Sequence, residues 1–275
     1  MVEIILLVAG ACCSFAEFYT MTESLESYIP GLQQQLEGKD RPQALELLAS
    51  RFPGRVTFSS SFGYEDQVIA HDILGNKIPI SIFTLDTGRL FPETYSVWNS
   101  TNERYETKIK AYYPGHELLE SFVQERGPNS FYESVENRTG CCYIRKVEPL
   151  GRALQGNAVW ITGLRAEQSN ARKDLPMLEW DAKHQVIKYH PLLHWSFEEV
   201  KSHIFANGIP YNPLHDKGFV SIGCAPCTRA VRPGEDFRAG RWWWENKSDK
   251  ECGLHIGTSG SEETIENKAE AAVSL

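Results

Sequence analysis

The chain has 275 residues, of which 41% are hydrophobic and 23% charged, as expected for a globular protein with one large core. These values exclude a disordered chain. The formal net charge of -8 argues against nucleic-acid binding, because neutralising phosphates requires a basic surface. Seven cysteines in a chain of this length fit a reducing compartment, here the cytoplasm, better than a secreted disulfide scaffold.

The first 24 residues are predicted to lie outside the fold. Residues 4–11 are apolar like the core of a signal peptide, but Glu3 stands where a basic region is expected. The stretch is also too short to span a bilayer. We interpret it as an extension before a second start at Met21, with a signal peptide or interfacial anchor as the alternative. Cys12 and Cys13 are then spectators, and no membrane partner is expected.

Strand and helix patterns alternate through the first half of the chain. Two short amphipathic helices are predicted within residues 29–50, broken near Gly38 and Pro42. The elements after them are a strand at 55–58, a helix at 65–74, a strand at 78–85, a helix at 91–104, a strand at 108–113 and a helix at 116–125. This alternation predicts an α/β fold with a mostly parallel sheet covered by helices.

The second half is less regular. A helix is predicted from the pair Cys141-Cys142 to Leu154, with Pro149 bending it or ending its regular hydrogen bonding. A strand at 158–162, a hairpin within 178–193 and a helix capped by Ser196 follow. The tail from residue 257 is rich in Ser, Glu and Ala and is predicted to be disordered or a short solvated helix.

Two predicted strand ends carry polar turns. The hydroxyl-rich residues 59–63 follow the first strand, and residues 86–89, which include Arg89, follow the second. Ligands of open parallel sheets bind at this edge, where backbone N–H groups and helix N-termini are exposed. The pattern predicts a site for a phosphate or sulfate group. The alternatives are a polar turn that only caps a helix, and a surface ion pair for Arg89.

Two cysteine pairs far apart in the chain, Cys141-Cys142 and Cys224-x-x-Cys227, indicate one four-ligand soft-metal site. Neighbouring residues on a helix point about 100° apart, so both members of the tandem pair reach a single zinc ion only awkwardly. In a 4Fe-4S cluster each thiolate takes a different iron, which favours the cluster. A structural zinc site and a redox disulfide remain the alternatives.

The segment from Arg229 to His255 combines arginines, three consecutive tryptophans and the isolated Cys252. Arginines stabilise a thiolate and also bind an anionic substrate, so the segment is predicted to hold a nucleophilic cysteine. Core packing or an interface is the favoured role for the tryptophans. His255 either tunes the thiolate of Cys252 or is an ordinary surface residue.

Taken together, these motifs resemble the assimilatory adenylyl-sulfate (APS) reductases, within the family that also contains phosphoadenylyl-sulfate (PAPS) reductases. The resemblance covers residues 25–255. It rests on the cysteine pair with the following Arg-Lys-Val-Glu-Pro-Leu, on Gly-Leu-Arg at 163–165, on Ser-Ile-Gly-Cys-x-x-Cys at 221–227, and on Glu-Cys-Gly-Leu-His at 251–255.

The resemblance implies reduction of adenylyl sulfate to sulfite and AMP in cysteine biosynthesis, with thioredoxin as the electron donor. Cys252 would attack the sulfate sulfur, expel AMP and carry an S-sulfocysteine. Cys141, Cys142, Cys224 and Cys227 would bind a 4Fe-4S cluster that does not itself deliver the electrons. The implied fold is the Rossmann-like adenine-nucleotide hydrolase type, with residues 59–63 as a modified pyrophosphate loop in which Ser60 and Ser61 replace two glycines.

The resemblance also assigns substrate contacts. Lys146 would link cluster and sulfate electrostatically, and Arg238 and Arg241 would bind the phosphosulfate. Leu85, Thr87 and Gly163 are expected near the nucleotide because they stand at strand ends. The remaining expected contacts are Ser59, Ser60, Ser61, Gly63, Gly88, Arg89, Arg165, Arg172 and His255.

The predicted organisation is an extension at 1–24, a nucleotide-binding reductase domain at 25–228, a mobile catalytic segment at 229–256 and a tail at 257–275. A homo-oligomer is compatible with the sequence. The nearest rival is a PAPS reductase or an enzyme using both nucleotides. An ATP-using enzyme of the same fold and a non-enzymatic metal-binding module are more distant alternatives.

Overall fold

The computed structural model describes residues 24–169 and 172–245. The predictions for the N-terminal extension, Cys12, Cys13, Cys252, His255 and the tail from residue 257 lie outside these ranges. Within them, no helix combines the length and the apolar character that crossing a membrane requires.

The strands of the described chain form one six-stranded sheet. In chain order they are β1 (Val56–Ser59), β2 (Ser81–Leu85), β3 (Lys110–Tyr112), β4 (Val159–Ile161), β5 (Leu178–Asp181) and β6 (Val186–Tyr189). Their order across the sheet is β3-β2-β1-β4-β6-β5, and only β5 runs antiparallel to its neighbour. The predicted mostly parallel, Rossmann-like α/β fold is confirmed, and the predicted hairpin is β5–β6.

Helices connect the parallel strands and cover the sheet, as right-handed crossovers require. They are α1 (Ile29–Leu36), α2 (Arg41–Arg51), α3 (Tyr64–Gly75), α4 (Pro92–Arg104), α5 (His116–Arg126), α6 (Val135–Cys142), α7 (Glu148–Leu154) and α8 (Phe197–Ala206). Short 3₁₀ turns occur at Leu25–Tyr28, Ser130–Tyr132, Ala166–Gln168, Pro213–Lys217 and Ala225–Cys227.

Local capping explains where two of these helices begin. The Asp40 carboxylate accepts a hydrogen bond from Gln43 N (2.9 Å) at the start of α2. Pro42 lies in the first turn of α2, where its missing N–H costs nothing, so it starts a helix rather than breaking one. Ser196 caps α8 in a reciprocal box with Glu199, as its sequence predicts.

The region around the tandem cysteines differs from the single helix expected there. α6 begins earlier, where Ser134 accepts from Asn137 N (3.0 Å), and Cys141 and Cys142 form its last turn. One π-helical turn, Tyr143–Val147, then leads into α7. Pro149 lies in the first turn of α7, so the chain can turn there without losing a hydrogen bond. Such π turns are frequent at functional sites.

The main core lies between the sheet and its helices and includes Leu45, Phe58, Ile69 and Ile161, all fully buried. A second cluster lies beneath α7, around Trp160. A third consists of Phe131, Cys142, Cys224, Cys227 and Trp242, and so places both cysteine pairs in one apolar setting.

Candidate active site

The carboxyl ends of β1, β2 and β4 open into a space of about 230 Å³, which we call the sheet-edge cavity. Ligands of open parallel sheets bind at this edge because its loops expose backbone donors. The predicted site residues that line it are Ser59, Ser60, Ser61, Gly63, Leu85, Thr87, Lys146, Gly163, Arg172, Arg238 and Arg241. The fold thus gathers stretches that are far apart in the sequence.

Residues 59–63, the serine turn, are held tightly at the floor of this cavity. Ser60 N donates to Phe83 O of β2 (2.8 Å), and Ser61 donates to Asp66 Oδ2 from both N (2.5 Å) and Oγ (2.6 Å). Phe62 has a φ of 61°, which a bulky residue adopts only where its surroundings enforce it. Its ring is fully buried and stacks on Trp98 at 5.6 Å, which fixes the turn.

Asp66, in the first turn of α3, is the main acidic group behind the serine turn. Burial raises the pKa of its carboxyl to about 7, and the nearby Glu65 adds to the rise. The two hydrogen bonds from Ser61 act in the opposite direction but do not cancel it. Asp66 therefore changes charge near neutral pH at the wall of the cavity.

The turn after β4 closes another side of the cavity through Thr162, Gly163 and Leu164. A Cβ atom on Gly163 would collide with Asp66 Oδ1, so only glycine fits against that carboxyl. Arg165 points beneath the cavity. It is fully buried and donates to Glu65 Oε1 from Nε (2.8 Å).

Four cationic side chains reach the sheet-edge cavity: Lys146, Arg172, Arg238 and Arg241. Lys146 stands on the π turn after the tandem cysteines. Arg241 is 6% exposed, donates to Ser221 Oγ (3.3 Å) and lies 4.7 Å over the Trp242 ring. A Cβ on Gly223 would collide with its guanidinium, so Gly223 makes room for it. Several cations around one cavity favour a ligand with more than one anionic group.

A second space, the cysteine cavity, is lined by Cys141, Cys142, Cys224 and Cys227. None of these four cysteines forms a disulfide. Burial raises the pKa of the Cys227 thiol to about 12, and neighbouring Cys224 adds to the rise. Burial also raises the pKa of Cys141, although Arg145 opposes the effect. Within residues 24–169 and 172–245, no group of three or more His, Cys, Asp and Glu side chains is placed to hold a single metal ion.

The two cavities share a wall. Lys146 and Cys224 line both of them. Thr87, which lines the sheet-edge cavity, has its Oγ1 only 3.3 Å from Cys224 Sγ. Arg145 Nη1 donates to Thr87 O (2.6 Å) and lines the cysteine cavity. Charge placed in one cavity is therefore felt at short range in the other.

Three predicted contacts lie apart from the described lining of the sheet-edge cavity: Gly88, Arg89 and Arg165. Gly88 has a φ of 70° and packs against Arg145. Arg89 lines the cysteine cavity and donates to Pro128 O (2.5 Å) and Asn129 Oδ1 (3.1 Å). Their roles toward a substrate stay predictions, as do those of Cys252 and His255 outside the described residues.

Sequence reasoning missed several lining residues, among them Asp66, Thr162, Gln168 and His215. In the sequence, nothing distinguishes Asp66 from other acidic residues in the first turn of a helix. Thr162 could have been predicted as a lining residue, because it stands at the end of a predicted strand. His215 lies in a 3₁₀ turn distant in sequence from every strand end, so no local pattern marks it.

Residues 55–230 match the phosphoadenosine phosphosulfate reductase domain family. The chain belongs to this family. Among family members, the adenosine 5'-phosphosulfate reductase of Sinorhizobium fredii is 47% identical over 251 residues, which cover 91% of this chain and 99% of that protein. The enzyme of the same name from Allochromatium vinosum is 50% identical over 214 residues, or 77% of this chain and 84% of that protein.

A solved structure supports the same membership. The phosphoadenylyl-sulfate (PAPS) reductase of Candida auris, in its phosphate complex, superposes with a TM-score of 0.62 at 31% identity, covering 75% of this chain and 97% of that one. In the present chain, the range that matches the family, residues 55–230, contains the serine turn and both cysteine pairs. It ends before Arg238 and Arg241.

Proposed function

We propose that this protein reduces adenylyl sulfate to sulfite and AMP, using thioredoxin, in sulfate assimilation and cysteine biosynthesis. The observation that carries the proposal is the wall shared by a cation-lined cavity at the sheet edge and a four-cysteine cavity, with Lys146 facing both. Relatives named adenosine 5'-phosphosulfate reductase, such as the one from Sinorhizobium fredii, support the choice of substrate.

Substrate binding divides between two parts of the sheet-edge cavity. The serine turn and the ends of β2 and β4 would receive the nucleotide, since they offer hydroxyls and backbone groups. Lys146, Arg238 and Arg241 would neutralise the phosphosulfate, because all three line the same space. Arg172, 7% exposed and bound to Gln168 Oε1 (2.5 Å), adds a fourth positive charge.

The four cavity cysteines fit a 4Fe-4S cluster. Their soft sulfur donors surround an apolar space, and a cluster lets each thiolate take a different iron, so the sulfurs need not converge on one point. Arg145 lines the same cavity, lowers the pKa of the Cys141 thiol against the effect of burial, and would offset part of the negative charge of four thiolates. When bound, the cluster would supply charge and fixed geometry beside the substrate and would not deliver the electrons.

The reaction is proposed to run through Cys252, which lies outside the described residues. Its thiolate attacks the sulfate sulfur, an S–S bond forms, and the S–O bond to AMP breaks with the electron pair leaving on AMP. A thioredoxin thiolate then attacks Cys252 Sγ and releases sulfite. The second thioredoxin thiol then attacks the mixed disulfide and expels the Cys252 thiolate, so two thioredoxin thiols are oxidised to a disulfide while the sulfate sulfur gains two electrons. His255 would tune the Cys252 thiolate.

Thioredoxin as partner and the cytoplasm as location belong to this proposal, because the mechanism consumes thiols and needs a reducing compartment. Use of PAPS, alone or beside adenylyl sulfate, is the second candidate. The structural likeness to the Candida auris PAPS reductase favours keeping it.

The test is to supply protein purified without oxygen with thioredoxin and either nucleotide, and to measure sulfite and AMP or its 3'-phosphate. We expect sulfite and AMP in equal amounts from adenylyl sulfate, and little sulfite from PAPS. Comparable values of kcat/KM for both nucleotides would replace the proposal with a dual enzyme. Absence of sulfite from both would contradict it.

A further inference from the structure

A buried polar contact lies behind the wall of the sheet-edge cavity. Thr162 and His190 directly follow the neighbouring parallel strands β4 and β6, and Thr162 N donates to Tyr189 O (3.0 Å). Thr162 Oγ1 and His190 Nδ1 lie 2.7 Å apart. The two residues are 1% and 0% exposed, respectively. Because Thr162 also lines the cavity, His190 touches the cavity wall from the inside of the protein.

Glu179 on β5 is the acidic group nearest to the other ring nitrogen of His190, Nε2, and favours a proton there. Its Oε1 lies 3.5 Å from His190 Nε2, which is long for a hydrogen bond, but the carboxylate charge still favours a proton on that nitrogen. Lys188 Nζ, 3.3 Å from the same oxygen, holds the carboxylate in place. Burial lowers the pKa of His190 despite Glu179, which favours the neutral ring. In the neutral ring with its proton on Nε2, Nδ1 is an acceptor.

With Nδ1 as acceptor, the Thr162 hydroxyl must donate its hydrogen to His190. The hydroxyl oxygen then accepts a hydrogen bond from Leu164 N (3.4 Å) and holds the turn after β4. Gly163 lies between these two residues, and a Cβ added to it would collide with Asp66 Oδ1. The orientation of one hydroxyl therefore helps to set the backbone that faces the cavity.

We propose that His190, oriented by Glu179, is a positioning residue of the nucleotide site: it fixes the Thr162 hydroxyl and through it the backbone of residues 163–164. The inference rests on the proposed function, because the ligand it serves is an adenine nucleotide. The cations and Cys252 keep their roles in sulfur transfer. Loss of the His190 contact therefore weakens nucleotide affinity and leaves the rate of the chemical step nearly unchanged.

The test is a double-mutant cycle on the full-length protein purified without oxygen, with AMP affinity measured by calorimetry. Thr162→Val removes the hydroxyl, and His190→Leu removes its acceptor. Each change is expected to weaken AMP binding about tenfold, the typical effect of one buried hydrogen bond. Because both remove the same contact, the double variant should also lose about tenfold, whereas independent effects would multiply to about a hundredfold.

Conservative variants and a distant control separate positioning from general damage. Thr162→Ser keeps the hydroxyl and His190→Asn offers an oxygen near the Nδ1 position, so both should recover most of the affinity. His116, whose side chain is 81% exposed at the start of α5, is the matched control, and His116→Leu should bind AMP like the unmodified protein. With adenylyl sulfate, the KM should rise about tenfold for Thr162→Val while kcat stays within about twofold.

Nitrogen NMR of the His190 ring should show the neutral form protonated at Nε2. A ring protonated at Nδ1, AMP binding by His190→Leu equal to that of the unmodified protein, or multiplying effects in the double variant would overturn the inference. If His190→Leu does not fold, the two Thr162 variants decide instead. Equal AMP affinities of Thr162→Val and Thr162→Ser would then overturn the inference. If the unmodified protein binds neither AMP nor adenylyl sulfate, the proposed function itself fails.

Discussion

Among single residues, the buried carboxyl of Asp66 connects two of the turns that line the sheet-edge cavity. It receives two hydrogen bonds from Ser61 and stands against Gly163, so it joins the serine turn to the turn after β4. Its pKa of about 7 is above the ordinary value because burial disfavours the charged form. The folded state therefore holds this proton more tightly than the unfolded chain does. The resulting stability is fully present below about pH 4 and is lost as the pH rises through about 7.

The first prediction concerns pH. As Asp66 ionises near pH 7, its negative charge repels an anionic nucleotide, so AMP affinity should fall about tenfold between about pH 6 and about pH 8. AMP titrates in the same range, so affinities are compared at each pH with those of Asp66→Asn. The ratio of the AMP affinity of the unmodified protein to that of Asp66→Asn should change with pH. A constant ratio would show that Asp66 keeps one charge state.

The second prediction concerns Gly163. Gly163→Ala places a methyl group against Asp66 Oδ1 and about 3.3 Å from Glu65 Cβ, and should lower stability by about 1–3 kcal/mol. Gly151→Ala in α7 is the matched control, because its Cβ would meet nothing within 4 Å and alanine favours a helix. Thermal unfolding of both variants, compared with that of the unmodified protein, measures the two changes in stability. Equal melting temperatures would contradict the packing described for Gly163.

At this scale the serine turn and the segment with Arg238 and Arg241 were predictable, because a hydroxyl-rich strand end and an arginine-rich stretch are local patterns. Lys146 and Arg172 were expected only from the resemblance. It did not predict Asp66. The pKa of Asp66 is raised by burial, which no local pattern shows, and Gly163, beside its carboxyl, is distant in sequence and follows β4, the partner of β1. Likewise Arg165 matched a motif, yet its guanidinium is bound by Glu65 beneath the cavity.

Between elements, α6 and residues 241–245 enclose the cysteine cavity together. Arg138 of α6 forms a two-point ion pair with Glu245, at 2.8 Å from Nε and 3.1 Å from Nη2. Its guanidinium also lies 4.8 Å over the Trp242 ring. Both charged side chains are less than a tenth exposed, so the pair is protected from water.

The third prediction tests this connection. Glu245→Gln removes the carboxylate charge that pairs with the buried Arg138 guanidinium and should lower the free energy of unfolding by about 3 kcal/mol. The matched control is Glu117→Gln, at a side chain that is 90% exposed, with an expected change within about 0.5 kcal/mol. Chemical denaturation of both variants measures the difference. An unchanged midpoint for Glu245→Gln would show that the pair contributes nothing.

The order of strands and helices was predictable because the period of apolar residues changes between strand and helix. The π turn Tyr143–Val147 was not, since its sequence is compatible with a continuous helix. Pro149 was expected to bend a helix or end its regular hydrogen bonding, and the α-helical pattern does change to a π turn just before it.

Across the whole molecule, two cysteine pairs and two cavities meet at one wall. The first pair ends α6, and the second forms a 3₁₀ turn after a long return of the chain. The pairing of these stretches was predictable from the chemistry of four thiols. A link through Lys146 was expected from the resemblance, and Lys146 lines both cavities. That Cys224 also lines both was not predictable, because it depends on how distant stretches of the chain pack together.

The fourth prediction is the metal content. Protein purified without oxygen should contain iron and acid-labile sulfide in equal amounts, and Cys142→Ser or Cys224→Ser should lose most of both. Cys13→Ser is the control and should keep the full content, because Cys13 is predicted to be a spectator. Zinc without sulfide would favour the zinc site, and full iron in Cys142→Ser would contradict the assignment of that ligand.

The most direct test of the central claim is peptide mass mapping after incubation with adenylyl sulfate without oxygen and without thioredoxin. The account predicts an SO₃ adduct on the peptide with Cys252, one AMP released per adduct, and loss of the adduct as sulfite when reduced thioredoxin is added. Cys252→Ser should release no AMP. Sulfite formation by Cys252→Ser, or an iron-loaded protein that never acquires the adduct, would contradict the account.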